Sequence, residues 1–281
     1  MLLFASLGRA SAQVSVELMT DQDEFLPGES IPVIARITNR SGQTLHFGDQ
    51  PGWLKFAIQA KEGYVGMRSS EPPIDAQFTL VSSERADVRV NVAPYFQLDK
   101  TGHYLITATV AVPEWKREIR SGSKGIDIIR GARIWEQEFG VPKTAGDTNG
   151  APEMRIYALQ EANYLRSNLM LYVQVTDKNG KINRVQAIGS MISFGQPEAK
   201  VDKVSNLHVL YQNGARTFSY TVTTPDCEII TRQTYEYTSR PRMVADAQGN
   251  ITVDGGARRI SRDDIPSPKS AGNDVSGRPT P

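Results

Sequence analysis

Pro197-Glu-Ala-Lys-Val-Asp202-Lys-Val-Ser-Asn206-Leu-His-Val209 returns without gaps as Pro241-Arg-Met-Val-Ala-Asp246-Ala-Gln-Gly-Asn250-Ile-Thr-Val253. Pro, Asp, Asn and Val coincide, and Ile251 replaces Leu207. Gly214-Ala-Arg216 follows the first copy and Gly256-Ala-Arg258 the second. An earlier Gly131-Ala-Arg133 stands 83 residues before Gly214, about two repeat lengths. Pro152-Glu153 opens a more diverged copy, 45 residues before Pro197, which is itself 44 before Pro241. Self-similarity at a period of 20–50 residues marks repeat architectures.

A second alignment joins the middles of the units. Val175-Thr-Asp177-Lys-Asn179-Gly180-Lys-Ile182 pairs with Val222-Thr-Thr224-Pro-Asp226-Cys227-Glu-Ile229. Asn-Gly is a strong hairpin signal, because tight hairpin turns need positive φ. Cys227 falls where the other copy has Gly180, so it is read as a hairpin-tip residue in a place that would suit glycine better. In the clearest unit the expected strands are 198–201, 207–212, 217–223 and 228–237. Leu207, Val209 and Tyr211 share one face by the strand period of two, and so do Phe218, Tyr220 and Val222. Four strands in about 44 residues is the size of a propeller blade, but one and a half clear units cannot close a propeller of four or more blades. The expectation is a small open β-domain packed in part against the rest of the chain, with edge completion by a second copy as the alternative. One segment departs from this pattern. Residues 153–165 are rich in Ala, Leu, Gln and Glu, and Ile156, Leu159 and Asn163 follow helical spacing, so a short helix is expected there.

Towards the N-terminus the pattern is also β. Val14-Ser-Val-Glu-Leu-Met19 alternates apolar and polar residues, Phe25-Leu-Pro27-Gly28-Glu29 is a turn, and Ile31–Thr38 returns to strand. Further runs fall at 53–60, 77–81, 86–92 and 104–112, separated by turn clusters. Many short strands without a 3.6-residue stripe indicate a β-sandwich. The whole chain is therefore expected to be all-β. A sandwich at 14–129 is followed by a blade-like β-repeat domain at 130–262 and a disordered Pro/Ser/Gly-rich tail at 263–281.

Two motifs in the first domain carry a resemblance. Leu98-Asp-Lys-Thr-Gly102-His-Tyr104 has the Leu-x-x-x-Gly-x-Tyr form of a tyrosine corner, in which the phenol bonds back to the backbone. Thr20-Asp-Gln-Asp-Glu-Phe25-Leu-Pro27-Gly28-Glu29 resembles the aspartate, aromatic, Pro-Gly-Glu opening of bacterial immunoglobulin-like and macroglobulin-type domains. Over roughly 115 residues the chain is thus similar to exported bacterial proteins that begin with such a domain. The resemblance implies a fold and no particular activity, since these sandwiches serve many roles.

Composition narrows the function classes. The 281 residues carry 32 Lys+Arg against 31 Asp+Glu, which argues against a nucleic-acid partner or a grip on anionic lipid. One cysteine excludes an internal disulfide and every multi-cysteine zinc cluster. The start, an apolar run ending in Ala10-Ser11-Ala12 before Gln13, reads as a truncated secretory signal at 1–12. No stretch approaches the roughly 18–20 apolar residues of a membrane span. A periplasmic or extracellular location is therefore expected.

The sequence carries few marks of chemistry. There is no phosphate-binding Gly-rich loop, no His-Glu-x-x-His and no Gly-x-Ser-x-Gly elbow. Asp177-Lys-Asn-Gly180 and Asp246-Ala-Gln-Gly-Asn250 lack the acidic density of a calcium loop and are read as turns, so no metal or cofactor is assigned. His46 and His103 are read as structural or surface residues, and His208 as facing outward. Tyr211, Tyr220, Tyr235 and Tyr237 cluster with Arg216 and Arg232, and Arg240 and Arg242 lie close by. Tyr and Arg anchor interfaces, although the same residues could serve as cross-strand pairs of the sheet. The leading expectation is a non-catalytic exported protein that engages a protein or glycan partner through these six residues, with self-association through open sheet edges as a further route. The alternatives are an inhibitor or accessory subunit of an extracellular enzyme, and a carbohydrate-active enzyme with an acidic pair drawn from residues such as Glu136, Glu138, Glu228 and Glu236.

Overall fold

In the computed structural model of the chain, residues 13–61, 69–141, 153–164, 168–180 and 182–265 are described. The signal expected at 1–12, residues 142–152 and most of the tail expected at 263–281 lie outside them. The chain is all-β, with only two short 3-10 turns among the described residues, and no sheet closes into a barrel. None of the described helices is long and apolar enough to cross a membrane. Two compact units divide at Arg130/Gly131.

The first unit contains β1 (Val14–Thr20), β2 (Glu24–Phe25), β3 (Pro32–Asn39), β4 (Leu45–Phe47), β5 (Leu54–Ala60), β6 (Phe78–Leu80), β7 (Arg85–Asn91), β8 (Gly102–Val112), β9 (Arg117–Arg120) and β10 (Lys124–Ile128). One sheet runs β1-β3-β7 and another β2-β10-β8-β5, with β4-β6 as a separate pair. Strict alternation in β3 sends Val33, Ala35 and Ile37 inward, and β8 buries Ile106, Ala108 and Val110. These residues share one apolar core, so the two sheets bury their inner faces against each other.

Both quoted motifs have a local physical meaning. Tyr104 Oη donates to the Lys100 carbonyl at 2.8 Å, the bond that a tyrosine corner makes. In the Pro-Gly-Glu turn, Gly28 has φ +90° and the Glu29 amide donates to Leu26 O at 3.0 Å. The buried Glu29 carboxylate accepts from the Leu26 amide and from Gln22 Nε2, both at 2.9 Å. Phe25, the motif's aromatic, is a core residue.

The second unit contains β11 (Ala132–Gly140), β12 (Met154–Tyr164), β13 (Asn168–Asp177), β14 (Asn183–Ser190), β15 (Glu198–Val201), β16 (Leu207–Gln212), β17 (Thr217–Thr223), β18 (Ile229–Glu236), β19 (Arg242–Ala245), β20 (Ile251–Asp254) and β21 (Ala257–Arg259). Two antiparallel meanders, β11-β12-β13-β14 and β15-β16-β17-β18, follow one another, and β19-β20 forms a hairpin. The helix expected at 153–165 is instead the strand β12. It is central and paired on both sides over residues 155–161, and it buries Tyr157 and Leu159. Sheet pairing and burial outweigh the helical propensity of its Ala, Gln and Glu residues.

Faces divide as the period of two requires. Leu207, Val209 and Tyr211 pack with Tyr157, Leu159, Val173 and Val175 of the first meander. Leu210, Tyr220 and Val222, with Phe218 beside them, pack on Met243, Ile251 and Val253 of the hairpin. The third repeat then breaks off. Gly255 and Gly256 take φ +81° and +69°, and β21 joins β18 instead of β20. Ile265, which lies within the segment expected to be a tail, exchanges backbone hydrogen bonds with Arg232.

Candidate functional site

The repeat residues build turns. Asp202 Oδ1 accepts from the amides of Val204 and Asn206, and Asn206 Nδ2 donates to Oδ2. Asp246 makes the same bonds with Gln248 and Asn250. At the fourth position of each turn, Ser205 and Gly249 have φ +68° and +78°. The second alignment behaves alike, with Gly180 at +68° and Cys227 at +66°. These side chains are consumed in holding hairpins, which is the Asx-turn chemistry of short polar residues.

Cys227 is a tip residue that is also core. Its thiol lies 3.6 Å from the carbonyl oxygens of Val173 and Arg184 and packs among the apolar residues between the meanders. Burial pushes the thiol up to about 12, so it stays protonated and unreactive.

His208, expected to face outward, is buried beside the hairpin. Its Nε2 meets Asp202 Oδ2 at 3.1 Å and its Nδ1 meets Tyr220 Oη at 2.5 Å. Burial lowers the imidazole's proton affinity, against the pull of Asp202. The neutral ring then donates from Nε2 to the carboxylate and accepts the phenol proton at Nδ1. Tyr220 Oη also lies 3.3 Å from Ile251 O, so the chain Asp202–His208–Tyr220 runs from one repeat turn to the hairpin of the next.

The expected binding residues separate. Tyr211 is buried, and its hydroxyl donates to Ile188 O at 2.5 Å. Gly189 makes room for it, since a Cβ there would stand 2.5 Å from that hydroxyl. Tyr220 belongs to the histidine chain. Tyr235 donates to Gln233 Oε1 at 2.9 Å, with Arg258 5.8 Å from its ring centroid. Arg232 lies opposite Thr221, and its buried Nε meets no hydrogen-bond partner among the described residues. Arg216 and Tyr237 meet at the open end of the β17–β18 hairpin, where Arg216 Nη2 donates to Tyr237 O at 3.0 Å.

That end forms one wall of a half-open cleft of about 680 Å³. Arg216, Phe218, Tyr237, Arg240 and Pro241 line it from one side of the sequence, and Phe194, Gln196 and Glu198 from the other, with Leu210 and Tyr211 also contributing. Phe194 is 83% exposed and Tyr237 44%. Sequence reasoning missed Phe194, an isolated aromatic in a loop, whose only signal is its position just before the repeat's Gly195-Gln-Pro197 opening. None of Glu136, Glu138, Glu228 and Glu236 lines the cleft, and Glu198 is its one carboxylate among the described residues. Among the described residues, no group of three or more His, Cys, Asp or Glu side chains is arranged to hold a metal ion.

No protein-family model matches the chain, and no curated protein matches it. Among solved structures it is similar to Spo0M, a sporulation control protein from Bacillus subtilis, at 7% identity. That similarity covers 64% of this chain and 91% of Spo0M with a TM-score of 0.30, a likeness too slight to carry an argument about fold or function.

Proposed function

We propose that the chain is a non-catalytic exported protein of the cell envelope that binds a protein or surface partner through the cleft of its second unit. In this reading the first unit is an immunoglobulin-like, macroglobulin-type scaffold, a reading supported by its tyrosine corner and its Pro-Gly-Glu turn. Export rests on the Ala10-Ser11-Ala12 sequence before Gln13. The observation that carries the binding assignment is the bare Phe194 and half-bare Tyr237 beside two arginines in one concavity. Interface centres draw on aromatic and arginine side chains, whose large rigid surfaces gain most from exclusion of water. Glycoside hydrolysis asks for two carboxylates facing each other across the cleft, whereas Glu198 is the one carboxylate among the described residues that line it, and it accepts a hydrogen bond from the Met243 amide at 2.9 Å.

The test is affinity capture from envelope extract with the wild-type chain and a Phe194→Ala/Tyr237→Ala variant in parallel. Partners retained by the wild type and lost by an equally stable variant are the expected result. Identical recovery with both proteins would remove the cleft from the function.

A further inference from the structure

The cleft's charge is unbalanced in a way that specifies its ligand. Arg216 commits one donor, to Tyr237 O, and the Arg240 guanidinium meets no acceptor among the described residues. Neighbouring arginines are satisfied: Arg242 pairs with Asp254 at 3.2 Å and Arg258 with Asp264 at 2.7 Å. Glu198, the one acid among the described lining residues, is engaged by the Met243 amide. Two arginines therefore line an open concavity to which the described residues contribute one carboxylate. Guanidinium forks match carboxylates in a bidentate manner.

The backbone adds a second property. Glu198 begins β15, the outermost strand of its sheet, which among the described residues pairs with β16 alone. An unpaired edge beside a pocket for side chains is how extended peptides are held, by main-chain bonds along the edge and side-chain anchors across it. A sugar would use the aromatics and arginines but would have no need of the edge.

We infer that the cleft takes an acidic, extended peptide segment of a partner protein. Its carboxylates would meet Arg216 and Arg240, and an apolar side chain would cover Phe194 and Tyr237. This rests on the reading of the cleft as the recognition site.

The experiment is selection of random octapeptides on the full-length chain, followed by titration of an enriched peptide and its Asn/Gln counterpart. Enriched peptides should carry at least two acidic residues, and the amide counterpart should bind roughly tenfold more weakly or worse. Arg216→Gln/Arg240→Gln should bring the acidic peptide down to the level of that counterpart, with the thermal midpoint unchanged. Should that variant unfold, Arg216→Lys/Arg240→Lys keeps the charge without the fork and should give an intermediate loss. Enrichment of neutral or basic peptides that Phe194→Ala/Tyr237→Ala fails to bind would overturn the acidic preference and leave the cleft standing. Acidic peptides that bind the aromatic variant undiminished would overturn the cleft itself. Failure to enrich any peptide, whether or not oligogalacturonate as an anionic sugar binds in calorimetry, would overturn the peptide assignment.

Discussion

Residue identity in the second unit is set by where φ is positive and by what the side chain can reach. Ser205 and Cys227 hold left-handed conformations that glycine takes in their repeat counterparts, at a cost of about 1 kcal/mol or more each. Cys227 offsets that cost by burying its side chain between the meanders. His208 gives the residue-scale prediction. Its folded-state proton affinity lies below the ordinary histidine value because burial disfavours the cation. As pH falls through the ordinary histidine range, the unfolded chain takes up a proton that the folded chain refuses, and stability drops. The contribution is complete above that range. Thermal midpoints measured from pH 5 to 7.5 should fall more steeply with acidification for the wild type than for His208→Gln. Equal slopes would show that the buried ring has no effect on the balance.

At the scale of elements, one hairpin device is used twice with different consequences. Asp202 and Asp246 make matching bonds within their turns, but Asp202 also holds His208. Its side chain is 12% exposed, so removing it strips a buried ring of its acceptor as well as opening a turn. Asp202→Ala should cost about 2–3 kcal/mol in a denaturant titration, by the worth of bonds to a charged group in a shielded place. Asp246→Ala should cost clearly less, because its turn is exposed. A larger loss at Asp246 would contradict the additional role given to Asp202. The strand β12 teaches a related point. Its composition favours helix, yet partners on both edges and a core on one face select the extended form.

For the whole molecule, the two units carry separate cores. Residues 1–130 expressed alone should therefore give a β-type circular dichroism spectrum and a single cooperative unfolding transition. A broad, non-cooperative melt would show that the first unit depends on the second. The repeat explains the layering of the second unit. The second meander buries one face on the first meander and the other on the β19–β20 hairpin, and β21 turns back to β18 and ends the series.

Much of this was legible in the sequence. The all-β character, the strands of the clearest repeat, the corner tyrosine and the equivalence of Cys227 with Gly180 all follow from period-two alternation and turn chemistry, which act over a few residues. Other features needed the tertiary structure. The inward turn of His208 and the strand at 154–164 depend on partners far along the chain. So does the separation of the tyrosines, with Tyr220 committed to packing while Tyr237 stays half-exposed. The cleft joins Phe194 to Arg240 across 46 positions of sequence. Local periodicity determines which way a side chain points from its strand. Only the packing of one sheet on the next decides whether it meets a core, a hydrogen-bond partner or open water.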